Sequence, residues 1–106
     1  MDSILNKLEK ILEERKSASS DQSYVSSLYS KGTSSILEKI IEESEEVINA
    51  VNEEDRKEVI HEVADLWFHL LVLLRHENIQ IEEIESELAR RFGVSGHDEK
   101  ASRKNS

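Results

Sequence analysis

Apolar residues recur along most of this chain every three or four positions, which is the spacing of one face of an α-helix. The first such segment predicts an amphipathic helix over residues 3–16. The following segment, 17–35, is rich in Ser and contains Gly32, so we predict a loop with one short helical turn at most, around 24–28. The apolar positions of the first helix are Ile4, Leu5, Leu8, Ile11 and Leu12.

Two longer helices are predicted in the middle of the chain. Ser35 followed by Glu38 fits a capping box, so a second helix is expected to start there and to run to about Val51. Asn52 followed by Asp55 suggests the next N-cap, and a third helix is expected to run to about Glu77.

A fourth helix follows a predicted stop at Asn78 and ends at Gly93, where the chain becomes polar. No alternating strand pattern is present. The sequence therefore predicts an all-α fold, a bundle of four main helices in a single domain over residues 1–94. The last residues, 95–106, are predicted to form a polar C-terminal tail.

The third helix is apolar nearly all round, which is typical of a buried helix. One narrow polar stripe interrupts it, made of Glu62, Asp65 and His69, whose spacing makes them neighbours on the helix surface. His69 by itself is more typical of a hydrogen-bonded core histidine than of a ligand. Because three other helices can hardly cover such a helix, we expect pairing across a two-fold axis to complete the bundle as a homodimer.

The second helix also carries acids in unusual positions. On a helical wheel, Glu43 projects inside the edge of the apolar arc, and Glu46 lies beside it one turn further on. Lys39 and Glu42 continue the same rim. A carboxylate at the edge of an apolar face needs an explanation other than solvation.

Charge and composition narrow the possible partners. The chain has 14 Lys and Arg against 23 Asp and Glu, a net charge of −9, which argues against a nucleic-acid partner. It has no Cys, and its longest apolar run, 70–74, is far below the roughly 20 residues that span a membrane. The N-terminus lacks a basic-then-apolar targeting pattern, so we expect a cytoplasmic protein without a membrane partner.

A divalent metal ion would explain the acidic positions of the two central helices. Desolvating unpaired carboxylates costs several kcal/mol per ion, and the segment offers few compensating cations. Four carboxylates at i and i+3 spacing, contributed by two helices, suit Mg²⁺, which takes oxygen ligands. Iron is disfavoured because only residues 58–61 form a Glu-x-x-His motif, and zinc because Asp65 replaces the second His of the zinc-protease pattern.

Two acidic motifs resemble those of a known superfamily. Residues 42–46, Glu-Glu-Ser-Glu-Glu, followed by Glu62-Val-Ala-Asp65, resemble the EExxE…ExxD pattern of the MazG-like all-α nucleotide pyrophosphatases. Segments 23–32, 65–74 and 95–104 are similar to the substrate loop, central helix and tail of one member family, phosphoribosyl-ATP pyrophosphatase of histidine biosynthesis.

That resemblance implies an activity and roles for individual residues. The implied reaction is Mg²⁺-dependent hydrolysis of the α–β phosphoanhydride of phosphoribosyl-ATP by a homodimer. Glu42 or Glu46 would take the proton of the attacking water. The implied Mg²⁺ ligands are Glu43, Glu46, Glu62 and Asp65, and the candidate substrate contacts are Tyr24, Lys31, Lys39, His69, Lys100 and Arg103.

Two other functions remain open at this point. The first is a MazG-like housecleaning pyrophosphatase that acts on noncanonical nucleoside triphosphates with the same metal site. The second is a non-enzymatic helical dimerisation module whose acids are only a solvated face.

Overall fold

The computed structural model of the protein describes residues 3–18 and 23–93. Within these ranges all regular secondary structure is helical, which confirms the predicted all-α fold, although there are five helices rather than four. They are α1 (Ile4–Arg15), α2 (Tyr24–Lys31), α3 (Thr33–Asn52), α4 (Arg56–His76) and α5 (Ile81–Phe92).

Helix α2 occupies the segment that was predicted as a loop with a short turn. Ser23 caps it, since the Ser23 hydroxyl accepts a hydrogen bond from the Ser26 backbone N–H at 3.0 Å. Val25 and Leu28 are buried in the core. Serine disfavours helix interiors, but this cap and the burial of two apolar side chains stabilise a helix that periodicity alone did not reveal.

The start of α3 differs from the prediction as well. The predicted capping box at Ser35 is wrong, because the helix begins at Thr33 and its N-cap is Gly32. Gly32 has φ +95°, a conformation that residues with a Cβ rarely adopt, and its N–H donates to the Leu28 carbonyl at 3.0 Å. One glycine thus ends α2 and starts α3, which leaves Ser35 inside the helix.

The predicted cap at Asn52 is wrong, because Asn52 is the last residue of α3 and the next helix begins after Asp55. The predicted stops at Asn78 and Gly93 lie at the observed helix ends. Asp55 caps α4 and accepts a hydrogen bond from the Glu58 N–H at 3.1 Å. Asn78 follows the C-cap of α4 with φ +59°, and Gly93 is the C-cap of α5 with φ +70°.

Helices α3 and α4 pack along each other as an antiparallel hairpin joined by three residues. Helix α1 packs against α4, α2 packs against α3, and α5 packs against α1. The most deeply buried side chains come from three different helices: Leu12 of α1, Ile36 of α3 and Val72 of α4. None of the helices in ranges 3–18 and 23–93 combines the length and the apolar character needed to cross a bilayer.

A buried arginine ties α4 to the outer helices. The Arg75 guanidinium lies 3.0 Å from a Glu13 carboxylate oxygen and 3.4 Å from a Glu9 oxygen, and it also donates to the Ile79 carbonyl. The Glu9 carboxylate in turn accepts from the Ile81 N–H, the first residue of α5, at 2.8 Å. The charged side chains of Arg75, Glu9 and Glu13 therefore connect α4, α1 and α5.

The prediction that α4 is buried all round holds for only part of its surface within one chain. Val72 and Leu71 are buried, whereas Ile60 and Trp67, seven residues apart on one face, are more than half exposed. Ile41 and Ile48, also seven residues apart, are similarly exposed on α3. A single chain leaves these large apolar side chains open to solvent.

Candidate functional site

Helical periodicity places one acid of α3 on the packed side of the helix. Ile36, Glu43 and Ala50 are spaced by seven residues and therefore lie on one face. Ile36 and Ala50 are buried, and the Glu43 side chain between them is only 12% exposed. The Glu43 carboxylate is thus held against α4 rather than in bulk solvent.

Helix α4 presents two further carboxylates to Glu43. Glu62 is only 7% exposed, and Asp65 lies one turn further along the helix and is half-buried. Glu43, Glu62 and Asp65 each place one carboxylate oxygen within 4.8 Å of the others. We refer to Glu43, Glu62 and Asp65 as the acidic triad.

The electrostatics of the triad favour a bound cation. Burial raises the pKa of Glu62, and the negative charges of Glu43, Glu46 and Glu58 raise it further. His61, whose Nε2 lies 3.6 Å from a Glu62 oxygen, acts in the opposite direction. Carboxylates that disfavour one another's ionisation create a strongly negative electrostatic potential, which attracts a positive ion.

The triad extends towards the end of the hairpin where α3 and α4 are joined. Glu58, His61 and Glu62 also bring one ligand atom each within 4.8 Å of the others. Glu46 of α3 is exposed and lines, with Glu58 and Glu62, an open cavity of about 490 Å³. Glu46 therefore lies beside the triad, but it is not one of the three carboxylates whose oxygens lie within 4.8 Å of one another. Glu58 and His61 were not predicted as site residues. Their sequence indications are the Glu-x-x-His motif that they form and, for Glu58, a position one turn before Glu62.

A lysine lies at the other edge of the triad. The Lys39 ammonium is 3.0 Å from a Glu42 oxygen and 3.9 Å from a Glu43 oxygen. The hydrogen bond to Glu42 raises the pKa of Lys39, so the side chain stays charged at neutral pH. The predicted rim of Lys39, Glu42, Glu43 and Glu46 is therefore continuous along α3.

Tyr24 and His69 meet beside this rim although 45 positions separate them in the sequence. The Tyr24 hydroxyl lies 2.8 Å from His69 Nε2, and His69 Nδ1 lies 2.8 Å from the Asp65 backbone carbonyl oxygen. Burial raises the pKa of Tyr24, and the nearby Lys39 charge lowers it. The structure thus brings Tyr24, Lys39 and His69 to one side of the acidic triad.

The remaining candidate substrate contacts are not part of this group. Lys31 is exposed in the last turn of α2, about 10 Å along the helix axis from Tyr24. Lys100 and Arg103, with the predicted tail 95–106, lie outside the described residues.

Comparisons with known proteins agree on one family. The sequence profile of the phosphoribosyl-ATP pyrophosphohydrolase family matches residues 5–92. The chain is 62% identical to the phosphoribosyl-ATP pyrophosphatase of Vesicomyosocius okutanii over 105 residues, which cover 99% of this chain and 100% of that relative. It is 59% identical to the enzyme of the same name from Ruthia magnifica with the same coverage, and 49% identical to one from Azoarcus sp. over 96% of this chain and 95% of the relative.

Proposed function

Because the chain belongs to the phosphoribosyl-ATP pyrophosphohydrolase family, we propose that it catalyses the reaction in the family's name, in the second step of histidine biosynthesis. The reaction is hydrolysis of the α–β phosphoanhydride of 1-(5-phosphoribosyl)-ATP to 1-(5-phosphoribosyl)-AMP and pyrophosphate. The observation that carries this proposal is the end-to-end match to relatives of that name, and the packing of three carboxylates between α3 and α4 supports it.

The donor set of the acidic triad fits Mg²⁺. All three groups are carboxylates, and their oxygens are close enough to bind one ion together. A triphosphate would be repelled by these carboxylates alone. We therefore assign Glu43, Glu62 and Asp65 as Mg²⁺ ligands, with Glu46 as a fourth. When bound, the ion supplies positive charge to the phosphate oxygens and acidifies a water molecule.

The residues around the triad then have separate tasks. Lys39 offers an ammonium to a phosphate oxygen at the rim. Of the two candidate bases, Glu46 is better placed to accept the water's proton with the oxygen that does not bind the metal, because it is exposed and lines the open cavity with Glu62. Glu42 already forms an ion pair with Lys39 at 3.0 Å. A carboxylate that accepts a proton from a positioned water acts as a general base.

We also propose that the protein works as a homodimer in the cytoplasm. The exposed pairs Ile41 with Ile48 and Ile60 with Trp67 support a contact along α3 and α4, because large apolar side chains are stabilised by removal from water. Sedimentation at micromolar concentration should show a dimer, and Trp67→Glu should shift it towards monomer.

The activity is tested by measuring pyrophosphate release from phosphoribosyl-ATP, with Mg²⁺ and with a chelator. We expect turnover only with the metal. Glu62→Gln and Asp65→Asn should each reduce kcat/KM by about a hundredfold, the scale of losing one preorganised charge contact to the transition state. Glu45→Gln is the matched control, because Glu45 is exposed on α3 and outside the triad.

Two results would contradict the proposal. Hydrolysis of simple nucleoside triphosphates without hydrolysis of phosphoribosyl-ATP would instead favour a housecleaning pyrophosphatase. Pyrophosphate release that is the same in Glu62→Gln, Asp65→Asn and Glu45→Gln would remove the acidic triad from the mechanism.

A further inference from the structure

The Glu-x-x-His motif of residues 58–61 has no part in the mechanism proposed above. Helix α4 places Glu58 and His61 one turn apart on the same side, and Glu62 follows His61 directly. Each of these three side chains brings one ligand atom within 4.8 Å of the other two. The group differs from the acidic triad because one of its ligand atoms is an imidazole nitrogen.

The Glu62 carboxylate points into this group without a hydrogen-bond donor. Its side chain is only 9% exposed, and it accepts no hydrogen bond from the residues that the structure describes. The His61 Nε2 atom lies 3.6 Å from one Glu62 oxygen, which is longer than a hydrogen bond. A desolvated carboxylate that no donor satisfies is stabilised by a cation.

The His61 ring is held over the carboxylates of α4 and remains accessible. Its Nε2 lies 3.5 Å from an Asp65 oxygen, and 65% of the side chain is exposed. An ion from solvent can therefore reach the nitrogen without any change in the fold. The open cavity beside Glu58 and Glu62 is lined by five carboxylates, and no Lys or Arg that the structure describes lines it. An incoming cation thus meets no competing positive side chain there.

We propose that Glu58, His61 and Glu62 form a second metal site, which takes a transition ion of the Zn²⁺ class. Imidazole nitrogen is a good ligand for Zn²⁺, Ni²⁺ and Cu²⁺, whereas Mg²⁺ takes oxygen. Three protein ligands with water in the remaining position are sufficient for Zn²⁺. Asp65 in place of a second histidine breaks the zinc-protease pattern, but it does not affect this site, because Glu58 supplies the third ligand.

Glu62 belongs both to this site and to the acidic triad, so the two sites are coupled. Two divalent ions that share one carboxylate repel each other. Mg²⁺ in the acidic triad should therefore weaken Zn²⁺ binding, and Zn²⁺ should weaken Mg²⁺ binding by the same factor. This coupling rests on the Mg²⁺ ligands of the proposed function, whereas the Zn²⁺ site does not.

NMR of the histidine rings identifies the ligand directly. The full chain is titrated with Zn²⁺ in buffer without Mg²⁺ at neutral pH, and the signals of His61 are assigned by their loss in His61→Gln. We expect the His61 ring signals to move with added Zn²⁺ and those of His76, the last residue of α4, to stay in place. His61 signals that do not move at saturating Zn²⁺ would overturn the proposal.

Calorimetric titration with Zn²⁺ and with Mg²⁺ measures the contribution of each ligand. His61→Gln should weaken Zn²⁺ binding at least about tenfold, because even the outer-shell partners of metal ligands change metal affinity 10- to 100-fold. It should leave the affinity for Mg²⁺ unchanged, and Glu58→Gln should also weaken Zn²⁺ binding. His76→Gln is the matched control, the same change on the same helix outside the group.

Two calorimetric results would refute the site. The first is equal Zn²⁺ affinity in the wild type, His61→Gln and His76→Gln. The second is an equal loss of Zn²⁺ and Mg²⁺ affinity in His61→Gln, because a nitrogen ligand that selects a transition ion affects Zn²⁺ alone. His61 is exposed, so its substitution leaves the core intact, and circular dichroism of the variant should match that of the wild type.

Repeating the Zn²⁺ titration with saturating Mg²⁺ tests the shared carboxylate. The apparent affinity for Zn²⁺ should fall about fivefold or more, the lower end of typical coupling between two sites. An affinity that Mg²⁺ does not change would refute the sharing of Glu62. None of these measurements needs turnover. If the wild type fails to hydrolyse phosphoribosyl-ATP but binds Zn²⁺ through His61, only the proposed function is lost.

Discussion

Arg75→Met should destabilise the fold strongly, because Arg75 joins three helices through buried charges. The substitution keeps an unbranched side chain of similar reach and removes only the guanidinium. That group is 10% exposed and contacts Glu13 at 3.0 Å, Glu9 at 3.4 Å and the Ile79 carbonyl. The Glu9 carboxylate then remains in place without this counter-charge, whereas Glu13 keeps the Lys16 ammonium at 3.6 Å.

The magnitude follows from the exposure of the groups that are left behind. Removing one partner of a fully buried ion pair costs about 3–5 kcal/mol. Here the Glu9 side chain is 22% exposed and stays largely desolvated, whereas Glu13 is 50% exposed and regains water. We therefore expect the free energy of unfolding to fall by about 2–4 kcal/mol, a large part of the roughly 5–15 kcal/mol that stabilises a typical protein.

Urea unfolding followed by circular dichroism at neutral pH and equal protein concentration measures this loss. Arg90→Met is the matched control, since Arg90 pairs with Glu87 at 2.7 Å on the exposed surface of α5. Exposed pairs are worth about 0–1 kcal/mol. A loss below about 1 kcal/mol in Arg75→Met, or equal losses in both variants, would refute this reasoning. Adding Glu9→Gln to Arg75→Met should recover part of the stability, because it removes the charge left behind.

Three further predictions concern single side chains. Because the pKa of Glu62 is raised in the folded state, the native protein binds more protons than the unfolded chain, and this contribution is lost as the pH rises through the raised pKa. With chelator present, the melting temperature of Glu62→Gln should therefore exceed that of the wild type at pH 8, and the difference should be smaller near pH 5. Added Mg²⁺ should raise the melting temperature of the wild type only. A lower melting temperature for Glu62→Gln than for the wild type at pH 8 in chelator would contradict this. Tyr29 has a buried hydroxyl without a hydrogen-bond partner among the described residues, so Tyr29→Phe should leave the unfolding free energy unchanged or raise it by up to about 1 kcal/mol in urea unfolding. Asp55→Ala should cost about 1 kcal/mol in the same assay through loss of the α4 cap, whereas Asp55→Asn should cost much less.

Helix positions and faces could largely be predicted from the sequence because they depend on residues close along the chain. The stops at Asn78 and Gly93 follow from local backbone chemistry, and the cap of α4 was predicted within three residues, at Asn52 instead of Asp55. Helical spacing, which also depends only on nearby residues, placed Glu43 on the apolar side of its helix. Helix α2 escaped prediction because its stability depends on burying Val25 and Leu28 against other helices.

The candidate site also combines features that local sequence predicts with features that depend on helix packing. Spacing along α3 and α4 indicated the acids, and the resemblance to a family supplied their chemistry. Spacing could not indicate which oxygens approach within 4.8 Å, because that distance depends on how the two helices pack. Nor could it show that Glu42 is already paired with Lys39 while Glu46 faces an open cavity.

The sequence by itself determined four of the five described helices, the clustering of negative charge and the family. Only the tertiary structure decided the contacts between distant residues: Tyr24 with His69, and Arg75 with Glu13. The physical reason is that a helix fixes neighbours three or four positions apart through its own hydrogen bonds. Partners 45 or 62 positions apart meet only after the helices bury their apolar faces together.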